Sequence, residues 1–277
     1  MVGIHACRPR FRRTRGEAAR PESGAGKRRL SRVTIGDALA RATARLAEAG
    51  IESARLEAEL LLAKACDDCA RALLYAELDR PMTEQQQGAF ERSVARRARR
   101  EPLAYVLGEW GFRRLTLKTD RRALIPRPET EIVVERALEH LSGLAEPDVL
   151  DVGTGTGAIA LAIADEHPGV RVTAIDVSPE ALALARENLD QSGVNGRVRL
   201  VEHDLTSGLG DRQFDLVVSN PPYVEPDELE TLQPEIRDWE PLIALVAPHA
   251  TDAVARAATD ALRPGGWLVL ENAAVHA

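Results

Sequence analysis

The sequence predicts an α/β protein, with a doubly wound, mostly parallel sheet behind a small helical bundle. Three observations carry this. Residues from Thr34 to about Arg100 have apolar side chains at helical spacing. After Pro147 the short apolar runs VLDVG, VRVTAID, RVRLVEHD, FDLVVSN and WLVLEN appear, with helical segments between the first four. Such alternation specifies parallel strands covered by helices on both faces. The glycine-rich DVGTGTGA at 151–158 joins the first run to the first intervening helix.

At 277 residues the chain favours two domains. Residues 1–30 hold nine Arg or Lys against two Glu and lack hydrophobic periodicity, so they read as a disordered basic tail. A nucleic-acid-binding arm or a transit peptide is the functional reading of this tail; an unselected extension is the plainer one and is preferred. Residues 31–104 read as the helical domain. Its first helix has Ile35, Ala38, Leu39, Ala42 and Leu46 on one stripe and stops at Gly50. A second follows Ser53 as N-cap, and a third opens on a capping box of Thr83 and Gln86. That helix ends in ARRARR, where basic side chains suit the dipole, so the run reads as a solvated helix end rather than a nucleic-acid site. Residues 105–125 read as a linker with a hairpin, its strands lying around Gly108 and Gly111. The last domain, 126–277, begins with PRPET, whose prolines impose extended backbone before a helix starting near Thr130.

Charge and composition narrow the function classes. Residues 148–277 hold eight Arg against twenty-two Asp or Glu, net −14, a poor surface for a phosphate backbone, so no direct nucleic-acid partner is expected. No stretch approaches the roughly 18 apolar residues of a membrane span, and MVGIHACRPRFRRTRG has no apolar signal core. Three cysteines make no disulfide framework, which fits a reducing, cytoplasmic setting. Cys66 and Cys69 form C-x-x-C without a second pair, so two thiols on a helical segment are expected and no metal site.

Gly153, Gly155 and Gly157 allow a tight turn and close approach of a ligand to the backbone, with Thr154 and Thr156 between them. Asp176 ends the second strand about twenty residues on, where a carboxylate grips ribose hydroxyls. Ser178 and Pro179 then supply an N-cap and first helical position. The glycine pattern alone fits either a dinucleotide or S-adenosylmethionine. A hydride enzyme needs a proton donor or acceptor beside the nicotinamide, and none of the six histidines has a recognisable catalytic context.

The fourth strand instead ends in Asn220, Pro221, Pro222 and Tyr223. Ligands in such sheets bind beyond the carboxyl ends of the strands. An amide or exocyclic amine nitrogen is a poor nucleophile because its lone pair is delocalised. The Asn220 side-chain oxygen and the Pro221 carbonyl can both accept hydrogen bonds from a substrate NH2, fixing it and enriching it in electron density. Two prolines hold the acceptors rigid, and Tyr223 can stack on a planar group. Methyl transfer from a sulfonium needs this positioning more than acid–base work.

EPLAYVLGEWGF, LIPRPETE and VSNPPYVEP, with DVGTGTG, resemble the release factor glutamine methyltransferases over about residues 34–271. The resemblance implies a Rossmann-like methyltransferase that transfers a methyl group from S-adenosylmethionine to the glutamine of the Gly-Gly-Gln motif in peptide chain release factors. It implies that the bundle helps hold that protein. It also implies that Gly153 to Gly157 line the cofactor, that Asp176 binds its ribose, and that Asp204 and Leu205 flank its adenine. Asn220 to Tyr223 would hold the glutamine amide, with Arg127, Glu129 and Phe112 closing the pocket. A monomer is expected. Methylation of another protein or of adenine, or an inactive cofactor-binding relative, are the alternatives.

Two departures stand out. The family's glycine-containing stretch after Glu240-Pro241 is replaced by LIALVAPHATDAV. The resemblance also implies two further strands beside the fifth, about 35 residues at ordinary element lengths, where this sequence ends at ENAAVHA. An exposed apolar edge at GWLVLEN, lowered stability and lowered turnover with intact cofactor residues are the expectation.

Overall fold

A computed structural model describes residues 33–67, 69, 71–208 and 213–272. The basic tail foreseen for residues 1–30 lies outside the described residues.

The bundle is built from α1 (Ile35–Glu48), α2 (Ala54–Ala65), α3 (Arg71–Ala76), α4 (Glu84–Arg97) and α5 (Leu103–Leu107). The predicted stripe of α1 is buried in full, and Thr34 and Asp37 close a capping box at its start. Thr83 and Gln86 cap α4 as expected. Ser53 does not cap α2: its hydroxyl donates to Glu57 Oε1 at 2.9 Å, a side chain one turn further on. Cys66 and Cys69 lie beyond the end of α2 rather than on it, and burial pushes both thiols up.

YVL belongs to α5, not to a strand, because Gly108 at φ +79° closes that helix and turns the chain into the hairpin. The hairpin itself comprises β1 (Glu109–Phe112), which contains Gly111, and β2 (Leu115–Lys118), and its turn falls at Arg113 and Arg114. Asn188 anchors β2 to the second half of the chain. Its side chain accepts from the Lys118 N–H at 2.7 Å and donates to the Thr156 carbonyl at 2.9 Å, tying hairpin and glycine turn to one buried amide.

The larger sheet has the order β5–β4–β3–β6–β7, all parallel: β3 (Asp148–Val152), β4 (Arg171–Asp176), β5 (Val198–Glu202), β6 (Phe214–Ser219) and β7 (Leu262–Leu270). Helix α6 (Thr130–Leu141) precedes β3; α7 (Ala158–Glu166), α8 (Pro179–Ser192) and α10 (Ala250–Ala261) lie between strands, and the short α9 (Pro234–Arg237) follows β6. Helices α6 and α7 pack on one face around Val149, Leu216 and Val218, and α10 packs on the other around Leu150, Val152 and Val217. The alternation of inward side chains along β3 and β6 is what serves both cores. Pairing of β6 with β7 shifts between Phe214 and Leu216, and Trp267 on β7 is half exposed with its ring stacked on His140.

From β3 the chain moves outward through β4 to β5, then returns to β6 on the other side of β3. The connections that follow the adjacent strands β3 and β6 therefore run in opposite directions, to β4 and to β7, opening a crevice at the strands' carboxyl ends. Register decides what meets there. Val152 pairs with Ile175 on one side and Ser219 on the other, so Gly153, Asp176 and Asn220 leave the sheet at one level.

Candidate active site

A cavity of about 410 Å³ occupies that crevice. One end is made by the glycine turn, Asp176 and Leu205; the other by Asn220, Pro221 and Arg127; α10 and its approach, including Ile243 and Val254, form the roof.

The glycines have separate tasks. Gly153 has φ +70° and a Cβ there would meet nothing within 4 Å, so the space above it is open to a ligand. Gly157, expected to line the cofactor, is instead a packing position: a Cβ would sit 3.1 Å from Leu161 Cδ1, and the residue is not in the cavity wall. Thr154 and Thr156 are buried in the turn, with the Thr154 hydroxyl donating to Asp151 Oδ2 at 2.6 Å. Complete burial pushes the Asp151 carboxyl up to about 7, and its other oxygen has no hydrogen-bond partner.

Asp176 accepts the Gly155 N–H at 2.8 Å through Oδ2 and the Ser178 N–H at 2.9 Å through Oδ1. Burial raises its pKa against these two hydrogen bonds. Each carboxylate oxygen keeps a lone pair beyond those bonds, suited to vicinal hydroxyls. Asp204 and Leu205 stand on the same wall, next to Ile175 and Ala181. An open glycine cradle, a fixed carboxylate at ribose position and an apolar slot fit the parts of S-adenosylmethionine in order.

At the other end, the Asn220 Nδ2 donates to Thr130 Oγ1 at 3.1 Å. Arg127 donates to Glu240 Oε1 at 2.6 Å, pairing PRPET with the segment after β6; burial nonetheless raises the Glu240 carboxyl. Three expected wall residues are elsewhere. Phe112 is 1% exposed in the core under α6 and α7, because the inward face of β1 carries it there. Glu129 is an exposed residue at the N-cap of α6 with no capping bond, and it is outside the cavity wall. Tyr223 lies outside the wall too, partly exposed, with its hydroxyl donating to Glu271 Oε1 at 3.3 Å.

The run ARRARR is not simply solvated. Arg97 is buried, bonded to Glu57 at 2.5 Å and to Glu235 of α9 at 2.9 Å, and Arg100 reaches the same Glu235 at 2.7 Å. Roles for the side chains of Thr130, Asn188 and Glu271 were not legible in the sequence. The α10 approach was marked there, by the unusual LIALVAPHATDAV.

A crevice of this construction defines a methyltransferase that uses S-adenosylmethionine. Residues 131–236 match the methyltransferase small domain, and residues 37–108 match the PrmC N-terminal domain. The release factor glutamine methyltransferase of Geobacter sulfurreducens is 44% identical over 232 residues, 82% of this chain and 79% of that one. That of Chlorobaculum tepidum is 46% identical over 237 residues, covering 81% and 80%. That of Deinococcus radiodurans is 46% identical over 246 residues, covering 86% of each. This chain belongs to the release factor glutamine methyltransferase family.

Proposed function

We propose that this enzyme methylates the side-chain amide nitrogen of the glutamine in the Gly-Gly-Gln motif of a peptide chain release factor. The observation that carries the reading is the position of Asn220 and Pro221 on the cavity wall, at the level where the glycine turn leaves the sheet. The likeness to proteins named for that activity supports it.

S-adenosylmethionine supplies an electrophilic methyl group on its sulfonium when bound. Gly153 and Gly155 would admit it close to the backbone, and Asp176 would accept from its ribose hydroxyls. The Asn220 side-chain oxygen and the Pro221 carbonyl accept the two N–H bonds of the substrate amide. Accepting both keeps the group in one orientation and raises the electron density on its nitrogen. Pro221 and Pro222 have fixed φ, so the acceptors need no ordering when substrate arrives.

Incubating the protein with a release factor and S-adenosylmethionine, followed by peptide mass spectrometry, tests the reading. A gain of one methylene mass on the glutamine of Gly-Gly-Gln is expected. A gain elsewhere, or on another protein only, would replace the substrate.

A further inference from the structure

An asparagine used as an acceptor has a difficulty of its own. Rotating the carboxamide by a half turn presents its NH2, not its oxygen, to a substrate that is itself an NH2 donor. Two donors then face each other, and the nitrogen is neither held nor activated. Something must select one of the two orientations.

We infer that Thr130 and Glu271 are positioning residues that fix the Asn220 amide with its oxygen toward the substrate. This inference rests on the functional reading above for the identity of the substrate, but not for the geometry. The Thr130 hydroxyl donates to Glu271 Oε2 at 2.7 Å, and the Asn220 Nδ2 donates to Thr130 Oγ1 at 3.1 Å. Ionised carboxylates only accept. The single hydroxyl proton of Thr130 is therefore committed to Glu271, and the Thr130 oxygen offers only lone pairs to Asn220. Asn220 must answer with its NH2, so its carbonyl oxygen occupies the opposite branch. Polarity is transmitted from a charge through a hydroxyl to an amide.

Each member is held in place independently. Thr130 is the first residue of α6 and is 4% exposed. Glu271 continues the β6–β7 ladder, its N–H donating to the Ser219 carbonyl at 3.0 Å, which sets it beside Asn220. The other Glu271 oxygen accepts from the Tyr223 hydroxyl at 3.3 Å, so one carboxylate ties both ends of the Asn-Pro-Pro-Tyr turn. PRPET and the end of β7 thus converge on the turn that follows β6.

Three variants of the full chain test this: Thr130→Val, Thr130→Ser and Glu271→Gln. Thr130→Val keeps the shape and removes the acceptor, and kcat should fall on the order of 10²-fold or somewhat less, with KM for the release factor and Kd for the cofactor within about threefold. Thr130→Ser should restore turnover. Glu271→Gln should lower kcat in the same direction, because its NH2 can donate to Thr130 and release the hydroxyl proton toward Asn220. An activity-free readout accompanies these, the Asn220 side-chain NH2 resonances of isotopically labelled protein. One proton should exchange slowly with solvent in the parent and in Thr130→Ser, and quickly in Thr130→Val and Glu271→Gln. Unchanged exchange in both of the latter overturns the inference, as does parental kcat in Thr130→Val or equal loss in Thr130→Ser. If the parent leaves the release factor unmethylated, the functional reading falls, and the exchange measurement still decides the positioning.

Discussion

Arg97, at the end of α4, lies 2.9 Å from Glu235 in α9, although 138 residues separate them. The same guanidinium holds Glu57 of α2 at 2.5 Å, and Arg100 holds Glu235 at 2.7 Å. Charges at the end of a bundle helix thereby fix the segment that runs from the Asn-Pro-Pro-Tyr turn to the roof of the cavity.

Replacing Arg97 by Met leaves Glu57 without its buried partner, and urea unfolding should show a loss of about 3–5 kcal/mol. Glu235→Gln is the gentler test. Burial pushes the Glu235 carboxyl up, but hydrogen bonds from Arg100 and Arg97 outweigh it and hold the group below the ordinary carboxylate range. A depressed carboxyl contributes stability that is present above its unfolded pKa and lost as pH falls through its folded one. Unfolding curves of Glu235→Gln should therefore lose less stability than the parent as pH falls below the ordinary Glu range.

Asn220→Ala and Asp176→Ala should separate binding from transfer. The first should abolish methylation while cofactor Kd, by calorimetry, stays within about tenfold, roughly 1.4 kcal/mol. Asp176→Ala should weaken cofactor binding instead, with transfer recovering as cofactor is raised. Equal loss of both properties in Asn220→Ala would mean a cofactor role for that residue.

Asp151 should give stability a second, opposite pH dependence. Its folded pKa is pushed up to about 7 by burial, so folding favours its protonated form. The contribution is complete below the ordinary carboxylate pKa of about 4 and is lost as pH rises through the folded value. Asp151→Asn should flatten the decline in stability across that interval, measured by denaturant titration at several pH values.

Gly169 is a backbone contact that no motif marks. A Cβ built there would fall 1.9 Å from the Ala145 carbonyl oxygen, so the backbones of the loops before β3 and β4 meet at Gly169. Gly169→Ala should destabilise by about 1–3 kcal/mol or more, read as a lower denaturation midpoint with unchanged cofactor affinity in the folded protein. An unaltered midpoint would show that the 145–146 turn gives way freely.

The sequence by itself determined most of the elements, though not α3 or α5, and the two ends of the cavity. An apolar stripe specifies α1 and a capping box opens α4, apolar runs specify the strands, and their alternation with helices specifies a parallel sheet. The glycine turn, Asp176 and Asn-Pro-Pro-Tyr are legible because each is local chemistry at a strand's end, where one short segment carries the whole signal. Only the tertiary structure decided that Phe112 is core rather than lid and that Gly157 serves packing. It also decided that Arg97 is clamped instead of solvated, and that Thr130 and Glu271 stand behind Asn220. The polar roles arise from contacts between residues far apart in the chain, 40 positions for Arg97 with Glu57 and 141 for Thr130 with Glu271. Periodicity reports which face of an element is buried. It does not report what the buried polar atom on that face will meet, because strand register and helix packing bring the partner.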